Sequence, residues 1–225
     1  LHPSDGIVLR RIEHGDRNRI LTLFTKEHGK LAVYVRGARG VSKRFGGPLD
    51  LFQQGVASFG HRRKASSMPI LQTFDAHNAH TNIRADVTKF AIASFWSELV
   101  LSTTAERDSS SVQFDQICRG LAALNEAPHG IRRDLILGFQ LQWFSAMGVM
   151  PPLEDDALSK ANLPALSERG LAIARALSSG ATIAELDAQH ADEVGVLTRA
   201  IRHSVVQRPL TSARFLHQVL SGLDG

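Results

Sequence analysis

The sequence predicts a β + α protein of two domains, in which an amino-terminal OB-type barrel of five strands is followed by an all-α helical domain. Residues 1–80 contain five short segments rich in Val, Ile, Leu and Phe, each bounded by turn residues. Residues 81–225 instead place apolar side chains at helical spacing. A chain of 225 residues is long enough for one domain or two. The change from strand-like segments to helical spacing of apolar residues places the domain boundary near residues 77–85.

The amino-terminal segments have the lengths and flanking residues of strands. They cover residues 6–12, 19–25, 31–37, 50–60 and 69–76. The second and third are separated by KEHGK, residues 26–30, which suits a hairpin turn. Five strands in a domain of this size are typical of an OB-type barrel, an architecture that often binds oligonucleotides. An SH3-like barrel has similar strand lengths and stays open as an alternative.

The carboxyl-terminal half has the periodicity and the start and stop signals of helices. The predicted helices cover residues 86–104, 111–126, 129–148, 168–179, 190–207 and 212–221. The first of them is apolar on nearly all sides over two turns, which predicts a buried helix. Residues 149–167 carry three prolines around an acidic run, and they predict an irregular connector.

Positive charge is concentrated in the predicted barrel. Residues 1–80 carry 13 Lys or Arg against 6 Asp or Glu, whereas residues 81–225 carry 13 against 16. A small domain with this excess predicts contact with a polyanion, with solubility as the alternative explanation. The chain contains no apolar run long enough to span a membrane and does not open on a signal-peptide pattern. We therefore expect a cytoplasmic protein without a membrane partner.

Few residues are arranged for catalysis. The stretch 37–47 lacks the Gly-Lys-Ser/Thr ending of a phosphate-binding loop, which argues against a nucleotide-fuelled enzyme. The single cysteine, Cys118, lies in a predicted helix among apolar neighbours, where packing is the expected role. His77 and His80 have near-metal spacing, but no third ligand is evident. We expect no enzyme activity, no cofactor and no bound metal, and keep metal-dependent hydrolysis of nucleic acid at the acidic run 154–156 as an alternative.

Two basic loops are the candidate nucleic-acid contacts. RGARGVSKRFGG, residues 36–47, holds four basic side chains, four glycines and no acid, and HRRK, residues 61–64, lies in the next connection. Glycine lets backbone amides approach phosphates closely, while Lys and Arg release counterions from the nucleic acid. Tyr34 and Phe45 lie near these cations and are candidate platforms for stacking bases, whereas Phe52 and Phe59 are expected in the barrel core. The predicted DNA-binding residues are Arg36, Arg39, Lys43, Arg44, Arg62, Arg63, Lys64, Tyr34 and Phe45.

The chain also resembles the family of the recombination mediator RecO. LTLFTKEHGK (21–30), RGAR (36–39) and FGGPLDLF (45–52) are similar to the family's LxxFTxExGK hairpin, its KGAR stretch and its GxLxPF loop. Later in the chain, FQLQWFSAMGVMPPL (139–153) and LTSARFL (210–216) resemble the central helix and the final helix of the family.

The chain departs from the family pattern at several positions. Many members carry four cysteines as a structural zinc site after the central helix. This chain has no cysteine beyond Cys118, so we expect no zinc there. Arg36 replaces the usual lysine and keeps the charge, whereas Thr211 stands where a lysine is common and Val149 where an aromatic residue is common.

The resemblance implies a DNA-repair and recombination protein that is not an enzyme. Such a protein binds single- and double-stranded DNA largely without sequence preference and anneals complementary strands. It assists RecA loading on strands covered by single-stranded DNA-binding protein, usually together with RecR, and acts in the cytoplasm at the nucleoid.

The helical domain is implied to bind partners, including the acidic, apolar carboxyl-terminal tail of the single-stranded DNA-binding protein. Arg132 and Arg133, with Phe139 and Trp143 on the same predicted helix, would suit that tail. The alternative is that both aromatic residues are core and both arginines are solvated. A different class of function, a protein-interaction adaptor whose basic barrel face binds an acidic protein, is also kept.

Overall fold

The computed structural model describes residues 1–37, 45, 47–60, 68–130, 132–183 and 185–222. Five strands in these ranges close into a barrel in the order β1-β2-β3-β5-β4. They are β1 (Ser4–His14), β2 (Asn18–Thr25), β3 (Gly29–Val35), β4 (Gln54–Gly60) and β5 (Ile70–Asn78). All neighbouring strands are antiparallel except β3 and β5, which are parallel. This Greek-key order confirms the OB-type barrel, because a simple meander would pair only consecutive strands.

Eight helices follow in the described part of the chain. They are α1 (Thr81–Ala85), α2 (Val87–Thr103), α3 (Ser111–Glu126), α4 (Arg133–Ala146), α5 (Asp155–Lys160), α6 (Glu168–Ser178), α7 (Ala188–Val205) and α8 (Thr211–Ser221). Side chains cap four of them: Asp86 accepts hydrogen bonds at the start of α2, Ser110 of α3, Ser167 of α6 and Asp187 of α7. In the described ranges, no helix has the length and apolar character needed to cross a bilayer.

The connector between α4 and α6 is more regular than predicted. The prediction of an irregular segment over residues 149–167 is wrong for the part that forms α5. Asp155 and Asp156 occupy the first turn of this helix and Lys160 the last. Charges in this order complement the helix dipole, and burial of Leu158 against the other helices stabilises the short segment.

The barrel and the helices share one hydrophobic core. Phe24 points outwards from β2, with its ring centroid 6.2 Å from that of Trp143 and 6.3 Å from that of Phe114. Phe52 also packs against a helix, with its ring centroid 5.4 Å from that of Phe90. A separate cluster fills the inside of the barrel. Because outward-facing barrel residues contribute to the helical core, part of the outer barrel surface is covered.

The β2–β3 hairpin attaches the barrel to the helices. Lys30 Nζ donates hydrogen bonds to the carbonyl oxygens of Leu101 and Thr104, at 2.9 and 2.6 Å, where α2 ends. The Arg107 amide donates to the Lys30 carbonyl at 3.0 Å. A lysine at a helix C-terminus satisfies carbonyls that lack a helical partner and complements the dipole. Lys30, the last residue of LTLFTKEHGK, therefore has a structural role.

His80 lies where the barrel meets the first helix. His80 and Phe52 both adopt left-handed backbone conformations, with φ of 43° and 67°. The His80 Nδ1 atom is 2.7 Å from the Phe52 carbonyl oxygen. Since a carbonyl only accepts, Nδ1 carries the proton, and Nε2 is buried without a partner among the described residues. Burial lowers the pKa of His80, and the nearby Arg84 cation lowers it further.

We expect His80 to make folding stability depend on pH. Its folded pKa lies below its ordinary value of 6.5, so the unfolded chain takes up a proton first as pH falls. The stability that neutral His80 contributes is therefore present above about pH 6.5 and is lost as pH decreases through the folded pKa. The free energy of unfolding, measured by urea denaturation between about pH 8 and about pH 5, should change less with pH in His80→Gln than in the unchanged chain.

His77→Gln is the matched control, because the exposed His77 ring contacts Asp5 at 3.0 Å and lies outside the core. The assignment to His80 would be contradicted if both variants changed the pH dependence equally.

Candidate nucleic-acid interface

The outer surface of β1, β2 and β3 has a covered half and an exposed half. Ile7 pairs with Phe24 under the helices. Further along the strands, Ile12 pairs with Ile20, and Ile20 pairs with Tyr34. Paired residues point to the same side of a sheet, and positions alternate along each strand. We name the exposed half the open sheet face; it consists of Arg10, Ile12, His14, Ile20 and Tyr34.

The open sheet face combines apolar, aromatic and cationic side chains. Ile12 is 41% exposed, and the rings of His14 and Tyr34 meet edge to face, with centroids 5.7 Å apart. Arg36, also exposed, follows directly after β3. Glu13 lies between Ile12 and His14 in β1, so its side chain is on the opposite side of the sheet. There Arg19 donates a hydrogen bond to the Glu13 carboxylate at 3.0 Å. A partly exposed ring among cations is the arrangement that stacks and neutralises nucleic acid, and OB-type barrels use this part of the sheet for oligonucleotides.

Much of the barrel's positive charge is already engaged within the protein. Seven of the 13 Lys and Arg residues of the first 80 positions lie in the described ranges. Four of the seven contact protein groups: Arg11 with Asp50 at 2.7 Å, Arg19 with Glu13, Lys26 with Asp115 at 3.7 Å, and Lys30 with α2. Arg10 and Arg17 are exposed, and neither has an ion-pair partner among the described residues. These two cations are therefore open to an external anion.

Only some of the predicted DNA-binding residues lie in the described ranges. Arg39, Lys43, Arg44, Arg62, Arg63 and Lys64 lie outside them. Tyr34 and Arg36 lie within them and stand close together at one end of the open sheet face.

Phe45 does not have the predicted role. Its side chain is 3% exposed and packs in the barrel core with Leu49 and Phe59, so its ring is not accessible for stacking on a base. The physical reason is that burial inside the barrel removes the apolar surfaces of Phe45 and Leu49 from water. Phe59 is buried in the barrel core, as predicted. Phe52 is also buried, but it packs in the core shared with the helices and not inside the barrel, so its predicted place in the barrel core is wrong.

Sequence reasoning missed Arg10, Ile12, His14 and Arg17. The first three are spaced by two residues in β1, which is the signal for one face of a strand. A β-bulge between Val8 and Arg10 inserts Leu9, which is buried against the helices. The insertion shifts the alternation by one residue, and the exposed face is therefore not evident from the apolar pattern alone.

The predicted partner-binding aromatic residues belong to the core. Phe139 and Trp143 are 3% and 0% exposed, and Phe139 stacks on Trp96 with centroids 4.4 Å apart. The Trp143 indole N–H donates to Thr103 Oγ1 at 3.0 Å. Helix α4 is enclosed by the barrel face and its neighbouring helices, so it buries apolar residues around much of its circumference. Phe139 and Trp143 therefore do not offer a docking surface.

The two predicted partner-binding arginines are engaged with carboxylates. Arg132 donates two hydrogen bonds to Asp134, at 3.0 and 2.9 Å, and this contact raises the pKa of Arg132. Arg133 lies 3.4 Å from Asp192. The four residues therefore do not form an apolar pocket rimmed by uncompensated cations.

The other chemical groups singled out in the sequence do not converge. Burial, with Asp115 nearby, raises the pKa of the Cys118 thiol to about 12, which disfavours the nucleophilic thiolate. The acids of the run 154–156 are exposed at the start of α5. His77 contacts Asp5, whereas His80 contacts Phe52. Across the described ranges, no three potential metal ligands are grouped together.

Comparison with known proteins identifies the family. The model of the family described as "Recombination protein O N terminal" matches residues 1–79. The model described as "Recombination protein O C terminal" matches residues 84–214.

Curated relatives agree with the family models. The chain is 31% identical over 169 residues to "DNA repair protein RecO" of Desulfatibacillum aliphaticivorans, covering 75% of this chain and 65% of the relative. Proteins of the same name from Exiguobacterium sp. (strain ATCC BAA-1283 / AT1b) and Anaeromyxobacter sp. (strain Fw109-5) are 34% and 32% identical over 68% and 66% of this chain. The chain spans less than two thirds of the length of these relatives, 59% and 57% for the latter two. It belongs to the recombination protein O family.

Proposed function

We propose that this chain is a non-catalytic DNA-binding protein of recombinational repair, which binds single- and double-stranded DNA through the open sheet face and the basic stretches 36–47 and 61–64 of the sequence. The observation that supports the proposal most directly is the composition of that face. Tyr34 offers a ring, Arg36 lies two residues after it, and Arg10 lies on the same face in β1, while the carboxylate of Glu13 lies on the opposite side of the sheet.

The mechanism is electrostatic neutralisation followed by strand apposition. Arginine and lysine side chains displace counterions from the phosphates, and the Tyr34 ring stacks on a base regardless of its identity. Contacts to phosphates and base faces carry no sequence information, so binding is largely independent of sequence. Two neutralised strands repel each other less, and they anneal by base pairing without nucleotide hydrolysis.

Family membership extends the proposal to protein partners. The chain assists RecA loading on strands covered by single-stranded DNA-binding protein, with RecR as a partner, and acts on DNA damage at the nucleoid. The tail of the single-stranded DNA-binding protein requires another surface of the helical region than Phe139 and Trp143, because both rings are buried.

The test is fluorescence anisotropy of a labelled mixed-sequence single strand across a salt series. For Arg39→Ala/Lys43→Ala/Arg44→Ala, we expect weaker binding and a slope of log affinity against log salt that is smaller by about three, because three phosphate contacts are removed. Tyr34→Ala should weaken binding by about fivefold or more through lost stacking. The matched control is Lys160→Ala/Arg169→Ala/Arg208→Ala, which removes the same charge from exposed positions in the carboxyl-terminal half.

Three outcomes would contradict the proposal. If the unchanged chain does not bind the single strand, the proposal is ruled out. If both triple variants lose DNA affinity equally, binding depends on net charge and not on the barrel. Retention of DNA affinity by the barrel triple variant, together with loss of RecR or single-stranded DNA-binding protein from the same variant, would favour the protein-interaction adaptor.

A further inference from the structure

A cleft of about 550 Å³ lies beside the open sheet face. Strand β1 and the turn before β4 form one wall of this cleft, and α2 with the start of α8 forms the other. The volume lies within the range of pockets that hold small organic ligands, and it is large enough for one or two nucleotides.

The cleft is continuous with the open sheet face through Arg10. Arg10 lines the cleft and also belongs to the open sheet face. Ile12 is two residues further along the same side of β1, a distance of about 7 Å at the usual rise of a strand. A chain of nucleotides lying on Ile12 and Tyr34 therefore reaches the cleft without leaving the protein surface.

The cleft wall on α8 carries an exposed aromatic ring. Phe215 is 37% exposed, although the next residue, Leu216, is buried in the helical core and anchors this part of α8. Among the described residues, no other aromatic side chain is counted with the exposed large hydrophobic residues. An aromatic ring fixed on a helix and open to a cleft is suited to stacking.

The polar groups of the cleft favour an anion with hydrogen-bonding atoms. Ser94, Ser97 and Ser102 line the α2 wall, and the buried Ser97 hydroxyl has no partner among the described residues. The acidic side chain in the cleft, Glu98, accepts hydrogen bonds from the amides of Thr211 and Ser212, at 3.1 and 2.6 Å, and from the Ser212 hydroxyl. Those donors offset the Glu98 charge, whereas Arg10 has no ion-pair partner in the described ranges.

We propose that this cleft takes one nucleotide of a single strand that is bound across the open sheet face. Phe215 stacks on the base, and Arg10 contacts the adjoining phosphate. The inference rests on the proposed DNA-binding function and extends its site from the barrel to α8. A nucleotide fits better than an acidic peptide, because the described residues of the cleft offer a ring and several hydroxyls but only one cation without an ion-pair partner.

The test compares short and long strands on the full chain. Labelled oligonucleotides of about 5 and about 15 nucleotides bracket the site size of one OB fold. We expect Phe215→Leu to weaken binding of the long strand by about fivefold or more and to weaken binding of the short strand less, because a short strand can bind the open sheet face without entering the cleft. Phe215→Trp should retain the affinity, since it keeps a stacking ring. Val112→Ala on α3 is the control, because it also removes an exposed apolar surface.

The outcomes separate this inference from the proposed function. Failure of the unchanged chain to bind either strand would remove the proposed function and this extension with it. If the unchanged chain binds both strands and Phe215→Leu binds the long strand with the same affinity, only the proposed role of the cleft would be overturned. An equal loss on short and long strands would also overturn it. Unfolding curves of Phe215→Leu and the unchanged chain should coincide, which excludes a general loss of folding as the cause.

Discussion

Replacing Phe24 with alanine is expected to lower the free energy of unfolding by about 3–5 kcal/mol, the usual cost of removing a buried phenylalanine. Phe24 is fully buried and points from the barrel into the helical core, between Phe114 and Trp143. The variant leaves a cavity at the interface of the two halves. The halves should then unfold at different urea concentrations, because each also has apolar contacts of its own.

Phe74→Ala is the matched control for Phe24→Ala. Phe74 is also buried, but it lies in the cluster inside the barrel. We expect a similar loss of stability without selective loosening of the contact with the helices. Both tryptophans, Trp96 and Trp143, lie in helices, so their fluorescence follows the helical half. Hydrogen exchange resolved by peptide follows the barrel. Coincident transitions in Phe24→Ala would contradict the expected uncoupling.

Replacing Gly29 with alanine is expected to destabilise the protein by about 2–5 kcal/mol in total. Gly29 has φ of +60°, where a side chain costs about 1–2 kcal/mol. An added Cβ atom would also overlap the backbone of Asp108 in the connection between α2 and α3. Relieving that overlap requires the connection to move away from the hairpin, at an expected cost of about 1–3 kcal/mol.

Gly15→Ala isolates the two contributions. Gly15 has φ of +61°, but nothing lies within 4 Å of an added Cβ atom. This variant should show only the backbone cost, so the difference between the two variants measures the overlap at Asp108. Equal free energies of unfolding, from urea denaturation of both variants, would mean that the connection yields without cost.

Much of the secondary structure was predictable, because it depends on local order. The five strands and the six long helices follow from periods of two and 3.6 residues, with turn and capping residues at their ends. Helices α1 and α5 were not predicted, since five or six residues carry too little periodicity. Part of the candidate site was also predictable: Tyr34 and Arg36 stand out as an aromatic residue and a cation close together.

The rest of the site depends on contacts between distant parts of the chain. From the sequence, Phe45 is a candidate for stacking, and Phe139 and Trp143 are either docking residues or core residues. Tertiary packing buries all three. A hydrophobic pattern records that a residue is apolar, and it does not record whether another element covers it. Phe215 is the converse case, an apolar residue in the final helix that the packing leaves partly exposed.

The order of amino acids by itself determined the two halves of this protein, the strand and helix types within them and the excess of positive charge in the first. Only the tertiary structure decided which of those charges are available. Arg11 is paired with Asp50, 39 residues away, and Lys30 is bonded to the Leu101 carbonyl, 71 residues away. Local propensity is set by neighbours in sequence, whereas burial and charge pairing are set by neighbours in space.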